Sequence, residues 1–156
     1  EAIKAEEKAQ KREARIRRGL DPEDNGKGHL DDVPHALPAL TRALKLQEKA
    51  ARVGFDWSEA FPILDKIEEE ITEFRAAVAE GKTPSIADEF GDVLFSLVNL
   101  GRHLKLDPEA ALAGTNYKFL DRFHAVERML RARGGSLEAA SLEEMEALWQ
   151  EAKAAE

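Results

Sequence analysis

Two pairs of carboxylates, each spaced three residues apart, carry the strongest chemical signal in the sequence. Glu70 and Glu73 occur in the run EEEITE, and Glu89 and Asp92 occur in DEFGDVLF. Residues three apart on a helix share one face, so each pair presents two carboxylates in one direction. Four carboxylates without cysteine or a close histidine suit a hard cation, Mg²⁺ or Mn²⁺.

The neighbouring side chains indicate whether these acids face the protein interior. At about 100° per residue, Glu70 falls at the edge of its helix's apolar stripe, and Glu73 lies slightly further round. The second helix is apolar on nearly every side, and one polar sector of about 80° holds Glu89, Asp92, Ser96, Asn99 and His103. We expect such a helix to be buried, with this sector facing something polar. Two interpretations remain: metal ligands, or acids that complement helix starts and form ion pairs between helices.

Basic side chains provide the opposite charge. Lys66 borders the acids on the first helix, while Lys118 and Arg122 lie one turn apart beside the apolar face of a later helix. Such groups are usually solvated or ion-paired, but beside a bound metal they would neutralise phosphoryl oxygens. We expect His103 and His124 to be structural, because the Glu-x-x-His motif of di-iron bundles does not occur.

The elements that position these side chains are expected to be helices throughout. No segment alternates β-branched and polar residues as a strand would. Helix starts are predicted at Ser85, Asp107 and Ser141, and a helix stop at Gly81. The sequence therefore predicts an all-α helical bundle of four to five main helices with antiparallel neighbours.

The first 33 residues are expected to be separate from the compact part. Residues 1–18 are charged and Ala-rich, which permits either a solvated helix or disorder, and residues 19–34 hold three Gly and two Pro, as a linker would. We therefore divide the chain into a charged N-terminal segment with a flexible linker, 1–33, and one domain, 34–156.

Composition excludes several classes of function. The 156 residues carry a net charge of −8, which argues against binding nucleic-acid polymers but not against a single nucleotide accompanied by metal ions. There is no cysteine, and the opening residues have no apolar central region, so we do not expect them to be a signal peptide. No apolar run approaches the roughly 20 residues that span a bilayer. We expect a cytoplasmic protein that does not bind membranes.

The acid motifs also resemble those of a known family. EEITE followed by EFGD resembles the Glu-Glu-x-x-Glu and Glu-x-x-Asp signature of MazG-type nucleoside triphosphate pyrophosphohydrolases. The segments LPALTRALKLQEKAARVGFDW, GDVLFSLVNLGRHL, TNYKFLDRFHAVE and LEEMEALWQEAK are similar to the C-terminal catalytic half of bacterial MazG proteins. The resemblance covers about residues 34–154. Full-length MazG proteins carry two such halves and the resemblance finds one here; whether the chain is a fragment of a two-domain protein stays open.

The resemblance implies a dimerising helical bundle that hydrolyses nucleoside triphosphates to a monophosphate and pyrophosphate. It implies Mg²⁺, with Mn²⁺ as a substitute, bound by Glu70, Glu73, Glu89 and Asp92. For the remaining residues it implies that Glu69 positions or deprotonates the attacking water and that the substrate is bound by Lys66, Lys118, Arg122 and Trp149. The number of metal ions, the base preference and the cellular role stay open.

Two alternatives remain open at this point. One is a base-specific relative in the same superfamily, a dUTP or dCTP pyrophosphohydrolase or a phosphoribosyl-ATP pyrophosphohydrolase. The other belongs to a different class, a non-catalytic helical interaction module in which the acids form ion pairs between helices. The module would show no Mg²⁺-dependent thermal shift.

Overall fold

The computed structural model describes residues 2–17 and 28–155, which contain six helices and no strand. In chain order these are α1 (Ala2–Arg17), α2 (Ala39–Ala51), α3 (Phe61–Glu80), α4 (Thr83–His103), α5 (Pro108–Ala132) and α6 (Leu142–Ala154). The predicted all-α class is confirmed. The helix count exceeds the predicted four to five because α1 forms where the sequence permitted either helix or disorder. Most of the predicted linker lies outside the described residues, and the division at residues 33 and 34 stays a prediction.

Two helical hairpins make up the bundle. α3 packs along α4, α5 packs along α6, and α2 contacts both α4 and α5. Within the described ranges, α3 packs on no helix other than α4, and α1 packs on none. No helix of these ranges is long and apolar enough to cross a membrane. The first hairpin carries the predicted acids, and the second carries most of the predicted basic residues.

The helix ends follow the predicted chemistry at three of four positions. Gly81 ends α3 with a φ of 72°, in the left-handed region that favours glycine. The Asp107 and Ser141 side chains each accept a hydrogen bond of 3.1 Å from the backbone N–H three residues later, at the starts of α5 and α6. The predicted start at Ser85 is wrong, because α4 begins two residues earlier with Pro84 in its first turn.

Buried apolar side chains are concentrated on the inner faces of the two hairpins. Val126, Leu130 and Leu148 join α5 to α6, and each is 1% exposed. On the first hairpin, Ile63 and Ile67 of α3 are also buried.

The expectation that α4 is buried on nearly every side is wrong for the single chain. Phe90, Leu94, Phe95 and Leu97 expose 51%, 38%, 46% and 46% of their surface. The cause is that α3 and α2 cover only two sides of α4 extensively, while α5 touches it briefly. Phe90, Leu94 and Leu97 lie within about 60° of one another on the helix, so they form an apolar face of α4 that remains uncovered beside the helix face that carries the acids.

Candidate active site

Three of the predicted metal ligands meet between α3 and α4. Oxygen atoms of Glu70, Glu73 and Glu89 all lie within 4.8 Å of one another. The short turn at Gly81 folds α4 back along α3, which brings Glu89 level with the α3 acids. Glu70 is only 6% exposed, Glu89 is half-buried and Glu73 faces solvent. We call these three side chains the carboxylate group. It is buried at Glu70 and open to solvent at Glu73.

The carboxylate group holds more negative charge than its surroundings neutralise. The pKa of Glu89 is raised above its ordinary value of 4.5, first by burial and then by the charges of Glu73, Asp92 and Glu70. A divalent cation between these oxygens would remove that repulsion. The donors are all carboxylate oxygens, which suit Mg²⁺ or Mn²⁺ rather than a soft metal. The residues present therefore fit a hard divalent cation.

Asp92 lies at the margin of this arrangement. It is exposed and is not one of the three carboxylates whose oxygens converge. Its charge nevertheless contributes to the raised pKa of Glu89, one helical turn away. The structure thus brings together three of the four predicted ligands and leaves the fourth close by.

Lys66 contacts the acids directly, as its position on the helix predicted. Its Nζ lies 2.8 Å from Glu70 Oε1 and 2.9 Å from Glu69 Oε1. The hydrogen bond with Glu70, followed by that with Glu69, raises the pKa of Lys66 above its ordinary value, so the ammonium stays charged. Glu69, the predicted water-positioning residue, is exposed and shares the Lys66 ammonium with Glu70.

The other predicted substrate residues lie on the second hairpin. The Arg122 guanidinium lies 5.7 Å from the Trp149 ring centroid, and the Phe119 ring centroid lies 5.1 Å from the same ring. Lys118 is exposed one turn before Arg122. We call Lys118, Arg122 and Trp149 the basic group. Since α3 packs only on α4 within the described part, the carboxylate group and the basic group occupy different hairpins.

A second polar cluster, which the sequence analysis did not find, joins the α2–α3 loop to the end of α4. Asp56 accepts hydrogen bonds from both terminal nitrogens of Arg102, and His103 Nε2 lies 2.9 Å from Asp56 Oδ1. Arg102 Nε also donates to Asn99 Oδ1 at 3.0 Å. The Arg102 hydrogen bond is the main cause that lowers the pKa of Asp56 to about 2. The available signal was the polar sector of α4, whose C-terminal half faces this loop.

Comparisons with known proteins show which family the chain resembles. The sequence profile of the phosphoribosyl-ATP pyrophosphohydrolase family matches residues 37–116, which include α2, α3 and α4 with the whole carboxylate group. The nucleoside triphosphate pyrophosphohydrolase of Escherichia coli K12 is 43% identical over 155 residues, 98% of this chain and 54% of that protein. The nucleoside triphosphate pyrophosphohydrolase/pyrophosphatase MazG of Thermotoga maritima is 39% identical over 154 residues, 98% of this chain and 53% of that protein.

A third relative, protein YabN of Bacillus subtilis strain 168, is 48% identical over 128 residues, 81% of this chain and 26% of that protein. The chain spans about half the length of the two nucleoside triphosphate pyrophosphohydrolases that it matches. The resemblance predicted from the acid motifs is thereby confirmed. The chain belongs to the phosphoribosyl-ATP pyrophosphohydrolase family, within the MazG superfamily.

Proposed function

We propose that the protein hydrolyses nucleoside triphosphates between the α and β phosphates, with Mg²⁺, to a nucleoside monophosphate and pyrophosphate. The observation that carries this proposal is the convergence of Glu70, Glu73 and Glu89 within 4.8 Å across α3 and α4. The names of the Escherichia coli and Thermotoga maritima relatives, both nucleoside triphosphate pyrophosphohydrolases, support it.

The carboxylates would hold the metal, with Asp92 as a fourth ligand. Such a metal draws charge from phosphate oxygens and lowers the pKa of a bound water. Glu69, which is exposed and is joined to Glu70 through Lys66, would orient the attacking water and accept its proton. As the water oxygen bonds to the α phosphorus, the bond from that phosphorus to the oxygen that bridges the α and β phosphates breaks. Pyrophosphate leaves with the bridging oxygen.

The basic residues would neutralise the triphosphate. Lys66 stands at the edge of the carboxylate group, within reach of phosphates that a bound metal holds. Lys118 and Arg122 would bind the remaining phosphate oxygens, with Arg122 providing a planar pair of donors. Trp149 would lie beside the nucleotide, since the Arg122 guanidinium already lies near its ring.

The proposal includes a homodimer. Large apolar side chains on α4 are uncovered in the single chain, and their burial against a second copy would be favourable. A second copy would also bring its basic group to the carboxylate group, because within the described residues α3 packs on neither α5 nor α6 of the same chain. Sedimentation equilibrium should give twice the chain mass, and Leu94→Glu, on the exposed apolar face that includes Phe90 and Leu97, should shift it towards the monomer. A monomeric wild type would contradict this part of the proposal.

Product analysis tests the reaction. The purified chain is incubated with nucleoside triphosphates, dUTP, dCTP and phosphoribosyl-ATP, each with Mg²⁺ and with EDTA. Monophosphate plus pyrophosphate, lost with EDTA, is the expected result. Turnover of phosphoribosyl-ATP alone would narrow the substrate to the one named in the family description. Diphosphate plus phosphate would contradict the assigned bond, and no turnover would favour a helical interaction module.

The cytoplasmic location stays a prediction.

A further inference from the structure

Glu70 is the most deeply placed member of the carboxylate group. It is 6% exposed, and it lies against α4 near two other carboxylates. A buried carboxylate is costly unless a cation neutralises it. The cation that does so here is the Lys66 ammonium, 2.8 Å from Glu70 Oε1.

The position of Lys66 is explained by this charge more than by helix stability. A lysine that precedes a glutamate by four residues is the less favourable order for an ion pair on a helix. Lys66 nevertheless lies between two carboxylates, those of Glu69 and Glu70, at 2.9 and 2.8 Å. Its side chain is 35% exposed. A long, partly exposed side chain can leave such a position without unfolding the helix.

A divalent cation and Lys66 would compete for the same carboxylate. A Mg²⁺ or Mn²⁺ ion lies about 2.1 Å from each oxygen ligand. The three carboxylates converge within 4.8 Å, so an ion bound by them would stand a few ångströms from the Lys66 ammonium. Two cations this close repel each other, and the divalent ion has the greater charge and the larger set of ligands.

We propose that Lys66 is the resident counter-ion of the carboxylate group, and that metal binding displaces it from Glu70 and makes it available to the substrate's phosphates. This inference rests on the proposed metal site and adds an order of events: metal binding first, then capture of the triphosphate by the released lysine. One residue would thereby stabilise the metal-free protein and bind substrate in the metal-loaded one.

The test is the affinity for Mn²⁺ alone, measured by calorimetry without nucleotide. Lys66→Met removes the competitor, so we expect it to bind Mn²⁺ on the order of tenfold more tightly than wild type. Lys66→Arg keeps the charge and should bind Mn²⁺ like wild type. Lys45→Met is the matched control, because it removes one positive charge and a 3.0 Å pair with Glu48 on α2, and it should leave the affinity unchanged.

Each result has a distinct meaning. Equal Mn²⁺ affinity in folded Lys66→Met and wild type would overturn the displacement of Lys66 while leaving the metal site intact. No Mn²⁺ binding by wild type would overturn both this inference and the proposed function. Circular dichroism identifies a Lys66→Met variant that fails to fold. In that case the response of the wild-type Lys66 ammonium to Mg²⁺ shows whether the metal displaces it.

The ammonium itself can be observed by nuclear magnetic resonance, because lysine N–H₃⁺ signals persist when the group is held by hydrogen bonds. The Lys66 signal, assigned by its loss in Lys66→Arg, should be present without metal and should move or vanish at saturating Mg²⁺. The Lys45 signal serves as the internal control. A Lys66 signal that Mg²⁺ leaves unchanged would overturn the proposal, as would its absence from the metal-free protein.

Discussion

Glu70 and Glu89 meet across the α3–α4 hairpin, with their carboxylate oxygens within 4.8 Å although they belong to different helices. Glu70 is buried with one lysine beside it, while the pKa of Glu89 is raised by burial and by the surrounding carboxylates. The arrangement therefore lowers the free energy of unfolding of the metal-free chain. Groups that a site holds at a cost to stability are commonly those that its function requires.

The first prediction concerns Glu89→Gln, which keeps the shape of the side chain and removes its charge. Turnover with Mg²⁺ should fall on the order of 100-fold or more, because a metal ligand is lost. The melting temperature of the metal-free protein should rise, because repulsion within the carboxylate group is relieved. Steady-state kinetics and thermal unfolding in EDTA measure the two effects.

Glu68→Gln is the control for this variant, because Glu68 is an exposed acid on the same hairpin. It should change neither turnover nor melting temperature appreciably. Acidification should also remove the stabilising effect of Glu89→Gln. A raised pKa means that the ionised carboxylate penalises the folded state at neutral pH, and that this penalty disappears below the ordinary value of 4.5. Full Mg²⁺-dependent turnover in Glu89→Gln would show that Glu89 is not a ligand.

The carboxylate group was predictable because its information is local. The i,i+3 spacing within α3 and within α4 fixes the face on which Glu70, Glu73 and Glu89 lie, and a glycine turn between two helices fixes their antiparallel packing. Lys66 was found for the same reason. The exposure of α4 was not predictable, because an apolar surface does not reveal whether its own chain or another chain covers it.

The Asp56 cluster was missed because it depends on tertiary structure. Asp56 lies in a loop, and its partners Arg102 and His103 are more than 40 residues further along the chain. No helical periodicity relates them. The polar sector of α4 showed that Asn99 and His103 face a polar neighbour, but it did not identify which one.

Asp56→Asn supplies the second prediction. It should lower the free energy of unfolding at pH 7 by about 1–2 kcal/mol, since the charged hydrogen bonds from Arg102 and His103 are lost and Asp56 is partly screened by solvent. The lowered pKa of Asp56 means that this stabilisation is present above 3.8 and fades as the pH falls through 3.8 towards about 2. Urea unfolding of wild type and variant at several pH values measures the difference.

Glu151→Gln is the comparison for Asp56→Asn. The pair of Glu151 with Arg133, at 3.3 Å, has both side chains more than half exposed, so its loss should cost less than about 0.5 kcal/mol. An Asp56→Asn protein as stable as wild type at pH 7 would show that the cluster does not fix the α2–α3 loop energetically.

The third prediction uses the fluorescence of Trp149. The chain has two tryptophans, so Trp57→Phe leaves Trp149 as the only indole emitter. A non-hydrolysable triphosphate with Mg²⁺ should then change the emission, because the nucleotide alters the surroundings of the ring that Arg122 contacts. Arg122→Gln should raise KM about tenfold, while Arg131→Gln, exposed on the last turn of α5, should not. Unchanged emission at a saturating concentration of the analogue would mean that Trp149 does not lie beside the bound nucleotide.

The fourth prediction decides whether one site combines two chains. Glu89→Gln disables the carboxylate group and Arg122→Gln disables the basic group, so at substrate concentrations well below KM the first variant alone should be nearly inactive and the second should keep about a tenth of wild-type activity. If a dimer takes the two groups from different chains, each mixed dimer contains one intact site. Random mixing of the two variants should therefore restore about a quarter of wild-type activity.

The control mixture combines Glu89→Gln with Glu70→Gln, both of which lie in the carboxylate group. No pairing of these chains creates an intact site, so their mixture should stay inactive when it is unfolded and refolded together in the same way as the first mixture. Recovery in the first mixture alone would locate the carboxylate and basic groups of one site on different copies. Verified mixed dimers without recovery would instead mean that each chain closes its own two hairpins around the substrate, with the apolar face of α4 serving assembly only.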